Sequence, residues 1–190
     1  MTEQLTDIRK RLSKILKKER FEHTVGVMYT AASLAMRYGA DVGQAMTAGL
    51  LHACGKFCPA KEQIKLCKKH GISLTESEIE MPALIHAKLG AYLARHEYGV
   101  KDKEILSAIV YHTTGRPDMT MLEKIIDSAD YIEPNRKEIP GLSEVRYRAF
   151  TDIDQAVCRS AGATTRYLES GGKSVDPMTI KTYNFYKKEG

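Results

Sequence analysis

Along most of the chain, apolar residues recur three and four positions apart, the spacing that places them on one side of an α-helix. Leu5, Ile8, Leu12, Ile15 and Leu16 predict an amphipathic helix over residues 3–18. Val25, Met28, Ala32 and Ala35 predict a second over about 21–38, stopped by Gly39. Asp41 followed by Gln44 has the spacing of a capping box, so a third helix runs through Ala45, Ala48 and Leu51 to His52, ended by Gly55 and Pro59. A shorter helix is expected over 60–69, and Thr75 with Glu78 caps a further turn. Pro82 opens a helix carrying Ile85, His86, Leu89 and Leu93 to Tyr98-Gly99.

Asp102 caps a helix with Ile105, Ile109 and His112 on one face, broken by the run from Thr113 to Pro117. Thr120 and Glu123 form another capping box. Behind it Leu122, Ile125, Ile126, Ala129 and Ile132 make a wide apolar stripe into which Asp130 intrudes, closed by Pro134. Residues 143–150 and 152–169 read as two more helices, and Asp176-Pro177 heads a terminal one through Ile180, Tyr183 and Tyr186. No alternating strand pattern and no fixed-period repeat is present. The expected fold is therefore an all-α globular array of roughly eight or nine helices, with residues 1–190 forming one domain.

At 43% hydrophobic and 28% charged residues, the composition is that of an ordinary globular protein rather than a disordered one. No apolar run approaches the roughly 18 residues needed to cross a bilayer. The polar N-terminus does not resemble a signal peptide, so a cytoplasmic protein without a membrane partner is expected. Cys54, Cys58, Cys67 and Cys158 lack paired C-x-x-C spacing, which favours reduced thiols; Cys54-x-x-x-Cys58 has no second pair to complete a zinc site. The net charge of +5 suits an anionic partner. The basic cluster Lys10, Arg11, Lys14, Lys17, Lys18 and Arg20 reads first as a solvated helix face, and nothing interleaves aromatic with basic residues as a nucleic-acid surface would. Apolar Tyr98, Phe150 and Phe185 could support a homodimer.

Four of the six histidines, His23, His52, His86 and His112, fall in predicted helices among small and apolar residues. Singly, each reads as a satisfied core histidine. Together with Asp130, they have the chemistry of a first-row transition-metal site, because a buried carboxylate needs a cation or hydrogen bonds and neutral imidazoles supply metal ligands. His70 and His96, beside Lys69 and Arg95, read as surface residues.

The succession His23, His52 with its following residue, His86, His112 and Asp130 resembles the HD-domain metal-dependent phosphohydrolases. Several strings sharpen the likeness to the YqeK-type branch of symmetrical diadenosine tetraphosphate (Ap4A) hydrolases. These are Arg20-Phe21-Glu22-His23-Thr24-Val25-Gly26-Val27, Gly49-Leu50-Leu51-His52, Gly90-Ala91-Tyr92-Leu93 after His86, His112-Thr113-Thr114-Gly115-Arg116, and Ala129-Asp130-Tyr131-Ile132-Glu133-Pro134-Asn135-Arg136. The resemblance covers roughly residues 5–188. It implies a two-metal, usually iron-containing site, with manganese or cobalt as alternatives. His23, His52 and Asp130 would serve one ion, and His86 with His112 the other. It implies hydrolysis of Ap4A to two ADP, with Lys56 and Arg116 as catalytic cations. Arg20, Thr113, Thr114, Gly115 and Arg136 would bind substrate. For Lys56 the competing reading is a solvated lysine past a helix end, and for the Thr113–Gly115 segment a helix-ending turn.

The chain departs from the family where the family takes its name, carrying His52-Ala53 in place of His-Asp. That aspartate normally bridges the two metals, and alanine has no ligand atom. The first set needs no bridge, whereas the second keeps only two imidazoles, so one or two ions are expected, with weakened second-site occupancy and lowered activity. Two other readings stand beside the hydrolase: a nucleotide-binding protein that has lost turnover, and another HD-type nucleotide phosphohydrolase or phosphodiesterase.

Overall fold

The computed structural model describes residues 2–188, and every regular element among them is helical. Eleven α-helices follow in order: α1 (Glu3–Ile15), α2 (Lys18–Tyr38), α3 (Val42–Leu51), α4 (Ala60–Lys69), α5 (Glu76–Glu80), α6 (Ile85–His96), α7 (Lys103–Tyr111), α8 (Met121–Ile132), α9 (Leu142–Thr151), α10 (Ile153–Ser170) and α11 (Pro177–Lys188). Short 3-10 turns occupy Cys54–Phe57 and Pro82–Leu84. The count exceeds the expected eight or nine because each of the ten helical segments marked by the pattern forms and the turn capped by Thr75 adds the five-residue α5.

Local chemistry explains most boundaries. Thr75 with Glu78 and Thr120 with Glu123 form complete capping boxes, and Asp102 and Asp152 accept the first free N–H groups of α7 and α10. Asp41 makes only half of its box. It accepts from the Gln44 N–H at 2.8 Å, while the Gln44 side chain donates to Asp102 at 2.7 Å and so ties the starts of α3 and α7 together. Pro82 opens a 3-10 turn instead of α6 itself. Ile15 does not join the apolar face of α1: the helix ends there, Leu16 turns inward, and Ile15 is left 47% exposed.

Helices α2, α3, α7 and α8 pack together around the main core, with α1 across α2 and α3, and α6 against α7 and the first 3-10 turn. Leu50, Leu51, Ile109, Ile125 and Ile126 are fully buried there, each contributing roughly 1.5–3 kcal/mol of burial free energy. Gly49 lets α3 approach α2, since a β-carbon at that position would lie 3.0 Å from the Met28 Cα. That close approach brings His23 on α2 opposite His52 at the end of α3. On the other side α10 packs on α8, α9 and α11, and Met119, Val157, Cys158 and Tyr186 form a smaller cluster between them. Among the described residues no helix is long and apolar enough to cross a membrane.

Candidate metal centre

Each histidine of the centre is placed near a helix end. His23 lies in the opening turns of α2 and His86 is the second residue of α6. His52 and His112 are the residues at which α3 and α7 end. Asp130 lies near the end of α8. The ends of α3, α7 and α8 and the beginnings of α2 and α6 therefore meet at one spot.

The imidazoles form a row. Neighbouring ring centroids lie 5.2 Å apart for His23 and His52, 5.1 Å for His52 and His112, and 4.9 Å for His112 and His86, all edge to face. In His52, His86 and His112 the Nδ1–H donates to a carbonyl three residues earlier, those of Gly49 (2.6 Å), Ala83 (2.7 Å) and Ile109 (2.7 Å). His23 instead donates its Nδ1–H to Glu133 Oε1 at 3.1 Å. The carbonyl bonds assign one tautomer to His52, His86 and His112 and turn their Nε2 lone pairs inward, while His23 has a carboxylate at each ring nitrogen, Glu133 at Nδ1 and Asp130 at Nε2.

The donor set fits a divalent metal. His52 Nε2 and His23 Nε2 face each other at 3.3 Å, and His86 Nε2 and His112 Nε2 at 3.0 Å; the second contact sets two lone pairs together and repels unless a positive centre lies between them. Asp130 Oδ1 stands 3.0 Å from His23 Nε2 and 3.8 Å from His52 Nε2. One ligand atom from each of His23, His52 and Asp130 lies within 4.8 Å of the others. Among the described residues His86 and His112 gain no third donor of this kind. Ala53, fully buried beside His52, offers none.

Electrostatics agree with neutral imidazoles around one carboxylate. Burial holds His52 and His86 well below the ordinary histidine range and His112 down to about 4. Burial alone would raise Asp130, but the His23 hydrogen bond and the charges around it, Arg136 included, hold its carboxyl well below the usual range. Arg136 donates to Asp130 twice, Nη2 to Oδ1 and Nε to the backbone carbonyl, both at 2.8 Å.

Two cavities flank the row. An inner one of about 310 Å³ is lined by Lys56, His86, His112, Thr113, Thr114 and Asp130 at the metal end, and also by Asp127 and Ser160. An outer one of about 740 Å³ carries Arg20, His23, Lys56, Arg136 and Lys137. Lys56, on the 3-10 turn after His52, reaches both, and burial lowers its ammonium from the ordinary lysine range. The expected Lys56, Arg20, Thr113, Thr114 and Arg136 thus sit around the centre.

Arg116 and Gly115 are placed differently. Arg116 forks onto Glu123 (Nε to Oε1 3.1 Å, Nη2 to Oε2 2.8 Å) and lines neither cavity. Glu123 caps α8, so the guanidinium clamps the helix that carries Asp130. The Gly115 N–H is given to the Tyr111 carbonyl at 2.8 Å and is not free to hold phosphate. Cys54 is a buried thiol pointing at the Gly90 carbonyl, with burial pushing it up to about 12.

Glu133 and Gly26 escape a reading by motif. The Glu133 side chain is 1% exposed, accepts from His23 and from the Asn135 N–H (2.8 Å), and so orients the His23 ring. A β-carbon at Gly26 would fall on Glu133 Oε2, so glycine makes the space for that carboxylate. The signal available in the sequence was a second acidic residue one turn beyond Asp130, just before Pro134.

The HD domain family matches residues 20–135, which span all five expected ligands. Over 172 residues, 90% of either chain, the protein is 48% identical to the symmetrical bis(5'-nucleosyl)-tetraphosphatase of Bacillus subtilis (strain 168). It is 43% identical over 171 residues, 89% of either chain, to the enzyme of the same name from Halalkalibacterium halodurans. Its fold superposes on a crystal structure from Clostridium acetobutylicum, described as a predicted HD superfamily hydrolase involved in NAD metabolism. The TM-score is 0.92 and the identity 37%, with 97% of each chain covered.

Proposed function

The chain belongs to the HD-domain family of hydrolases, and we propose that it cleaves dinucleoside tetraphosphates symmetrically, Ap4A giving two ADP. The observation that carries this reading is the placement of the imidazole row and Asp130 between two cavities that share Lys56 and Arg136. A substrate with two nucleoside diphosphate halves needs room on both sides of the scissile bond and cations at its middle.

His23, His52 and Asp130 would hold one divalent metal and His86 with His112 a second, weaker one. The two-histidine, one-carboxylate set favours iron, with manganese or cobalt as alternatives. A bound metal supplies Lewis acidity and activates water at neutral pH. The protein does the rest by position. Lys56 and Arg136 hold the central phosphates from the two cavities, and Arg20 meets the outer half. They neutralise charge that grows on phosphoryl oxygens as the water oxygen bonds to phosphorus and the bond to the bridging oxygen breaks. Glu133 keeps the proton of His23 on Nδ1 and its Nε2 free for the metal. The free thiols of Cys54, Cys58, Cys67 and Cys158 suit a cytoplasmic setting.

Ala53 favours a second reading, a nucleotide-binding protein with little turnover. Incubating the full chain with Ap4A and Fe²⁺, Mn²⁺ or Co²⁺, then resolving the products, tests both. ADP as sole product supports symmetrical hydrolysis, whereas AMP with ATP points to another HD-type phosphohydrolase. Binding without products, with turnover appearing in Ala53→Asp, selects the second reading.

A further inference from the structure

The inner cavity contains a carboxyl that the chemistry above does not use. Asp127 lies one turn before Asp130 on α8, so it lines the same cavity. It is outside the group whose ligand atoms cluster within 4.8 Å, and so stands apart from the metal set. Ser160 Oγ donates its one proton to the nearer Val157 carbonyl at 3.0 Å and lies a long 3.4 Å from Asp127 Oδ1, and among the described residues no lysine, arginine or histidine nitrogen is in an ion pair with Asp127. A carboxyl so placed, opening on a cavity, calls for a hydrogen-bond partner from whatever fills that cavity.

The cavity says what that occupant is. Its volume of about 310 Å³ is at the small end for a ligand site and suits one nucleoside, not a whole dinucleotide. Its cations, Lys56 and Arg136, are at the metal end, which draws the phosphates there and sends the base toward Asp127 and the uncharged hydroxyls of Ser160, Thr164 and Thr179 that also line the cavity. Those hydroxyls come from α10 and α11, beyond the stretch matched by the HD family. The metal-bearing helices are thus shared with the family at large, while the hydroxyl-bearing wall is added by the C-terminal helices.

Building on the hydrolase reading, we propose that Asp127, seconded by Ser160, is a specificity-determining residue that accepts a hydrogen bond from the exocyclic amino group of the adenine in one half of the substrate. The other half occupies the outer cavity, where Arg20, Lys137 and Asn135 contact phosphate and sugar; of the carboxylates there, Glu19 and Glu22 are exposed and Glu133 is taken by His23 and the Asn135 N–H.

The test is a cycle between residue and base, using the full chain with Mn²⁺. ADP and its N6,N6-dimethyl analogue, which has no amino N–H, are titrated calorimetrically into the parent, Asp127→Ala and Asp127→Asn, and KM and kcat are measured with Ap4A. Asp127→Ala should weaken ADP binding about tenfold and raise KM alike, with kcat and metal content little changed. The dimethyl analogue should bind the parent about tenfold more weakly than ADP and lose nothing further in Asp127→Ala. Asp127→Asn, which keeps an acceptor oxygen, should recover most of the loss. Equal losses for both ligands, unchanged binding, or loss of metal together with affinity would overturn the assignment. Because binding is read apart from turnover, the full pattern without hydrolysis overturns the hydrolase reading and leaves Asp127 standing. Hydrolysis without the pattern does the reverse.

Discussion

The two halves of the histidine row are built from the same parts and differ in one. His23 and His52 have Asp130 within 3.0 and 3.8 Å, and His23 is held by Glu133 behind it. His86 and His112 have backbone carbonyls behind them and Ala53 where a shared carboxylate would come from. Neutral imidazoles present a metal with lone pairs, but the negative charge that binds a dication tightly comes from the carboxylate. On the proposed reading, the comparison teaches that affinity should follow the acidic residues, with the histidines setting position.

The largest effect expected is from Asp130→Ala, which removes the one carboxylate of the first half. Metal content should fall to background and Ap4A hydrolysis with it, while circular dichroism stays helical; a variant that kept its ion would break the comparison. Ala53→Asp should act in the opposite direction. It should add a second ion per chain and raise kcat on the order of 10²-fold, the scale of restoring one electrostatic stabiliser of a transition state. In that background His112→Ala should abolish the gain, whereas in the parent it should cost much less than His52→Ala.

Smaller effects come from the shell behind the ligands. Glu133→Gln should lower metal affinity about 10–100-fold by loosening the His23 tautomer, read by competition with a coloured chelator. Gly26→Ala should move affinity the same way by crowding Glu133. The mildest expectation concerns pH. Protons compete with metal for Nε2, and burial lowers His112 to about 4 from an ordinary 6.5, so competition is weak near neutrality. Metal content of Ala53→Asp should be flat from pH 8 to about 6.5 and fall as pH drops toward 4. Loss of the second ion already above pH 7 would contradict neutral, depressed imidazoles.

Much of this was legible in the sequence because it is written locally. Apolar spacing and capping residues mark helices through short-range physics, and the capping boxes at Thr75 and Thr120 lie where their spacing puts them. The five candidate ligands stood out because histidines and an aspartate inside apolar helices conflict with burial unless something compensates them. What was not legible depends on partners distant in sequence. Arg116 looked like a free cation beside a phosphate turn, yet Glu123 occupies it. Asp127 and Glu133 flank Asp130 by one turn on either side, but only the packing of α10 and α2 gives one a cavity and the other a histidine. Ile15 fits the periodicity of α1 and is exposed because the helix stops at that residue.

The central claim is that this centre binds one ion firmly through His23, His52 and Asp130, and that Ala53 withholds the second. Metal content per chain, measured by plasma emission on anaerobically purified parent and Ala53→Asp after exhaustive dialysis, tests it most directly. The account predicts one ion in the parent and two in the variant. Two tightly held ions in the parent would contradict it.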